Sequence, residues 1–146
     1  MIRLFCVGRL KERHYQDAAD EYLKRIAKYG RLEVVEFKEQ TDKNPDVSKR
    51  KEGQLIIDRL RAGSYIVSLD LRGKQATSEE FSEILKRQDV TFIIGGPEGL
   101  SDDIINRSDS VLSLSKMTFP HQLARVILIE QIYRGYTIVN RERYHR

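Results

Sequence analysis

Apolar positions along this chain alternate between two periods. Residues 2–7 (IRLFCV), 32–37 (LEVVEF), 65–71 (YIVSLDL), 91–94 (TFII) and 110–115 (SVLSLS) are short runs that predict five strands. Between them the spacing becomes helical. Tyr15, Ala18, Ala19, Tyr22 and Ile26 fall on one stripe, and Gly30 suits that helix's end. The segment 38–48 is polar, holds Asn44-Pro45, and reads as a loop. A second helix is expected over about 48–62, with Leu55, Ile56 and Leu60 inward and Gly63 as its stop. Thr77 and Glu80 form a capping box ahead of Phe81, Ile84 and Leu85. Ser101-Asp102-Asp103 opens a short fourth helix, and Pro120 opens a final one that runs to about Gly135.

Strands alternating with helices predict a parallel sheet with helices packed on it, an α/β/α domain. No repeat, linker or low-complexity stretch interrupts residues 1–146, so a single domain is expected. The final helix is apolar on more than one side, through Leu123, Val126, Ile127, Leu128, Ile129, Ile132, Tyr133 and Tyr136. Such a helix needs cover on both sides. Either a second subunit or the domain's own helices can supply it.

Composition narrows the class only slightly. The chain has 146 residues, 40% hydrophobic and 33% charged, as ordinary globular domains have. No apolar run approaches the roughly 20 residues of a membrane span, and no signal-peptide cleavage site is evident, so a cytoplasmic location is expected. Cys6 is the single cysteine, which excludes an internal disulfide, and it reads as core. No metal site is expected, because His14, His121 and His145 are scattered. Net charge is +4, a mild sign of a polyanionic partner. Its placement says more: the last seven residues, 140–146, hold Arg141, Arg143, Tyr144, His145 and Arg146.

Familiar phosphate motifs fail. Gly73-Lys74 is followed by Gln75, so it is no P-loop, and Gly95-Gly96-Pro97-Glu98-Gly99 is not a dinucleotide fingerprint. No nucleophile elbow is present. In open α/β sheets, however, ligands bind beyond the carboxyl ends of strands. Three such ends are unusual here: 68–73, the glycine cluster after 94, and 114–119. Glycines let a ligand approach the backbone, and Leu69, Leu114, Met117 and Phe119 can form apolar walls. Such a pocket suits an adenosine-like ligand, against the plainer reading of a tight turn and a packed loop.

The blocks IGGPEGL (94–100), SLSKMTFPHQLARV (113–126), IEQIYR (129–134) and the terminal YHR (144–146) resemble the SPOUT class of methyltransferases. Within it, the chain is similar to the family that methylates N3 of pseudouridine 1915 in 23S ribosomal RNA. VGRLKE (7–12) and EYLKR (21–25) share that likeness, which covers nearly the whole chain. The resemblance implies a deep trefoil knot in the C-terminal half, a homodimer, and S-adenosyl-L-methionine as cofactor. It places cofactor contacts on Leu69, Gly95, Leu114, Ser115, Lys116, Met117, Thr118 and Phe119. It also implies action on the assembled 70S ribosome.

With that resemblance the C-terminal tail reads as catalytic. His145 is the first choice to take the imide proton from pseudouridine N3. Tyr144 can stack on a base, and Arg143 and Arg146 can hold phosphates or a developing oxyanion. The tail is expected beside a partner subunit's cofactor. Two other readings stay open: a non-enzymatic ribosome- or RNA-binding protein of the same fold, and a nucleotide-binding enzyme acting on a small molecule.

Overall fold

Alternation along the first strand sets the layers. In the computed structural model, which describes all residues from Met1 to Arg146, β1 (Ile2–Val7) is buried at every position. Ile2, Leu4 and Cys6 belong to one core and Phe5 and Val7 to another, as pleating requires. The other strands are β2 (Leu32–Phe37), β3 (Tyr65–Lys74), β4 (Val90–Ile94) and β5 (Ser110–Leu112). All pair in parallel, in the order β2-β1-β4-β3-β5. Helices α1 (Arg13–Ile26), α3 (Ser78–Ile84) and α5 (His121–Val139) pack on one face. Helices α2 (Pro45–Ile57) and α4 (Asp102–Arg107) contribute Ile56 and Ile104 to the other face. The expected parallel α/β/α domain is therefore observed.

Several boundaries differ, each for a local reason. The loop expected over 38–48 ends early, because Asn44 accepts from the Asp46 amide at 3.0 Å and Pro45 takes the first helical position. That helix stops at Ile57 rather than 62, and Leu55 is 41% exposed while Ile56 is fully buried. Gly135 does not end α5. It lies inside the helix, where an added Cβ would come 2.5 Å from Leu85 Cδ1, so its small size lets α3 approach. Strand β5 is three residues long, and Ser113 onward leaves the sheet.

Helix α5 runs between α1 and α3, and every residue from His121 to Val139 is at least partly covered. Its two-sided apolar pattern is thus accounted for within one chain, which weakens the sequence argument from that pattern to a second subunit. A left-handed residue, Arg141 at φ 57°, then turns the chain back. The Glu142 amide donates to Thr137 O at 2.8 Å and the Arg141 amide to Ile138 O at 3.1 Å, closing the helix end.

Candidate functional site

Beyond Leu69, β3 stops following its neighbour. Leu69 and Lys74 both pair with Leu112, so residues 70–73 bulge out of the sheet. Arg72 ties that bulge down. Its guanidinium donates to Asp70 Oδ1 at 2.9 Å, to Asp102 Oδ1 at 2.8 Å and to the Leu100 carbonyl at 3.2 Å. Burial would raise the Asp70 carboxyl's pKa, but the Arg72 bonds outweigh it and hold the group below its usual range.

The glycine loop after β4 folds onto itself. Gly96 and Gly99 form a bridge, with the Gly99 amide donating to Gly96 O at 3.0 Å. Gly99 needs φ +84°, a region that favours glycine. A Cβ on Gly95 would stand 2.6 Å from Gly99 O, so this crossing of backbone on backbone excludes side chains. Below the loop lies Glu52, whose Oε2 accepts from the Gln40 amide at 2.9 Å. Burial pushes its carboxyl up, although the Gln40 amide acts the other way.

The third wall is the segment after β5. Ser113 Oγ donates to Ser115 O at 2.8 Å, and the Met117 amide donates to Ser115 Oγ at 3.0 Å. Together the three segments enclose a cleft of about 550 Å³. Of the residues on which the resemblance places cofactor contacts, Leu69, Gly95, Leu114, Ser115, Met117, Thr118 and Phe119 line this cleft. Lys116 does not: it lies exposed on the turn that Ser115 Oγ holds. Sequence reasoning missed Leu71 as a wall. Only its place just past the pairing part of β3 hinted at that role. Leu71 is 63% exposed and Met117 is 74% exposed, and both face this cleft. Large apolar side chains left open around a glycine cradle mark a ligand site.

The C-terminal tail lies elsewhere. It crosses the outer side of α5, starting at Glu142, which accepts from Tyr29 Oη at 2.6 Å. The Tyr144 ring meets Tyr133 edge-on, with centroids 4.6 Å apart, and the Arg134 guanidinium lies 4.8 Å over it. Arg134 Nη1 donates to His145 Nδ1 at 3.2 Å, so the ring hydrogen belongs on Nε2, which donates to Glu79 Oε1 at 2.6 Å. Arg134 itself is held by Glu130 at 2.7 Å. No residue from Arg141 to Arg146 lines the cleft. His121 and Ala124 do line it, and Arg134 sits ten positions beyond Ala124 along α5, about 15 Å at a helix's rise. One chain therefore does not bring Tyr144, His145 and Arg146 together with the residues that line the cleft.

A small parallel sheet, an out-of-register strand end, a self-crossing glycine loop and an apolar cleft between them define a nucleoside-binding α/β protein. The chain belongs to the SPOUT methyltransferase family: the family model described as "Predicted SPOUT methyltransferase" matches residues 1–145. It is 42% identical over 154 residues to "Ribosomal RNA large subunit methyltransferase H" of Caldicellulosiruptor saccharolyticus, covering 100% of both chains. It is 45% identical to the protein of that name from Pelotomaculum thermopropionicum, over 99% of this chain and 98% of that one. The tRNA (m1G37) methyltransferase from Aquifex aeolicus shares the fold, with a TM-score of 0.61 at 16% identity, over 91% of this chain and 69% of that one.

The family's methyl donor is S-adenosyl-L-methionine, and the residues present fit it. Leu69, Leu71, Leu114 and Phe119 offer apolar surface to an adenosine, and Glu98 puts a carboxylate on a cleft that would take a sulfonium cation. No helix of the chain is long and apolar enough to cross a membrane.

Proposed function

We propose that this chain methylates N3 of pseudouridine 1915 in 23S ribosomal RNA, working as a homodimer on the assembled 70S ribosome in the cytoplasm. The observation that carries the reading is the cleft itself: Leu71 and Met117 stand open in a cleft that the Gly95–Gly99 crossing also lines. Full-length identity to ribosomal RNA methyltransferases supports the substrate class. The path of the chain supports a knotted C-terminal half. It leaves the sheet at edge strand β5, runs along the bulge and the glycine loop, and returns to mid-sheet as α5.

When bound, the cofactor supplies a methyl on a sulfonium, a good leaving system. The protein's part is alignment and exclusion of water. Leu71 and Met117 close over the apolar walls, while the Arg72 strap fixes the bulge against α4. The imide proton on N3 must leave before or as the nitrogen attacks. His145 is assigned that proton, through Nδ1 once Arg134 releases it. Tyr144 stacks on a neighbouring base, and Arg143 and Arg146 face phosphates or the developing oxyanion. In the docked pose both ring nitrogens of His145 are engaged, so the tail must leave its seat on α5 to act. Its distance from the cleft of the same chain suits service to a partner's cleft.

Methyl transfer from labelled S-adenosyl-L-methionine tests the reading, using ribosomes from cells that lack the modification. Label is expected in one nucleotide of large-subunit RNA. Ribosomes that stay unlabelled, with cofactor bound normally by calorimetry, would sink the substrate assignment. Absence of cofactor binding at millimolar concentration would sink the enzymatic reading.

A further inference from the structure

We propose a second RNA contact, to the phosphate backbone, at the end of the sheet opposite the cofactor cleft. It rests on the reading of the substrate as ribosomal RNA. A groove of about 590 Å³ opens there, with Arg61, Arg87, Arg107 and Tyr65 among its walls. The three arginines come from separate places: the turn after α2, the turn after α3, and the last position of α4. All three are exposed, and none pairs with a carboxylate. Arg72, Arg125 and Arg134, by contrast, are each held by an acid. The one acid in the groove, Asp109, spends Oδ2 on the Ile66 amide at 2.7 Å.

Three unpaired guanidinium groups around one groove repel each other, and an anion relieves that. Arg87 lies 3.7 Å above the Tyr65 ring, so its fork is ordered in advance and its N–H edges remain free. Planar forks match phosphate oxygens in pairs. With a rise of about 3.3 Å per residue along β3 from Tyr65 to Leu69, the groove lies roughly 13 Å from the near wall of the cleft. A lone nucleoside cannot span that distance. A folded RNA can reach both, so the groove would favour large structured substrates by holding backbone remote from the target base.

The test replaces Arg61, Arg87 and Arg107 together with alanine, and in a second variant with lysine. Binding to 70S ribosomes and to protein-free 23S RNA is measured against salt. The alanine variant is expected to bind both at least tenfold more weakly, with the salt slope reduced by two to three units. The lysine variant should restore the salt slope but only part of the affinity, since an ammonium keeps the charge and loses the fork, and S-adenosyl-L-methionine affinity should be unchanged in both. Affinity within twofold of the parent protein overturns the proposal. So does weaker binding to ribosomes with unchanged binding to bare RNA, which would assign the groove to an acidic protein segment. If the parent protein binds RNA through these arginines yet methylates no ribosome, the functional reading fails and this contact stands.

Discussion

Cys6 lies on the α1–α5 side of β1, and burial pushes its thiol up to about 12 from the 9.0 of a free one. Arg125 pulls the other way and is outweighed. A raised acid contributes full stability below its unfolded value and loses it as pH climbs toward the folded one. Between pH 9 and 12 the unfolded chain sheds a proton that the folded chain keeps. Stability should therefore fall in that window, by up to about 1.4 kcal/mol per pH unit from this group. Urea midpoints measured across it should fall less steeply in Cys6→Val than in the parent. Native Cys6 should also resist iodoacetamide at pH 8. At the glycine crossing the residue-scale argument is steric. Gly95→Ala places a methyl 2.6 Å from Gly99 O, with no flexible side chain able to yield. Cofactor affinity by calorimetry should drop at least tenfold, while the parallel sheet, whose strand pairing ends at Ile94 before the loop, stays folded by circular dichroism.

At the scale of elements, α3 is only seven residues long and depends on its box. Thr77 Oγ1 accepts from the Glu80 amide at 3.1 Å, and Glu80 Oε1 accepts from the Thr77 amide at 3.3 Å. Thr77→Ala should cost about 1 kcal/mol. For a domain this size that is a fall of roughly 2–4 °C in Tm by calorimetry. The box was legible in sequence because both partners are three residues apart and need nothing distant. So were the five strands, whose apolar periods report burial directly. What escaped was set by long-range contact. Gly135 looks like a helix stop until Leu85 is placed against it, and α5 runs on to Val139. The bulge at 70–73 shows itself only in the pairing, where Leu69 and Lys74 share Leu112 of β5, and no pattern within β3 reveals it. The cleft-lining residues were legible through family likeness more than through chemistry, and Lys116 shows the limit. A motif names neighbours in the chain, whereas the Ser115 turn decides which of them face inward.

For the whole molecule, the separation of tail and cleft is the feature with consequences. Tyr144 and His145 are seated on α5, near Tyr133 and Arg134, and their own cleft begins at the other end of that helix. If a two-fold dimer supplies each cleft with the partner's tail, the two functions separate genetically. A chain lacking 141–146 keeps a sound cleft and offers no tail. A Gly95→Ala chain keeps its tail and offers no sound cleft. Each alone should bind ribosomes yet transfer almost no methyl. Mixed one to one and allowed to exchange subunits, half the dimers would hold one of each, with one complete site per dimer. Methyl transfer should then return to about a quarter of the parent rate. If the tail folds back to serve its own chain, every mixed dimer lacks a complete site and the mixture stays inactive. Sedimentation of the mixture, with one chain labelled, separates that result from a failure to exchange. An inactive mixture of proven mixed dimers would place catalysis within one subunit and require the tail to cross about 15 Å of its own surface.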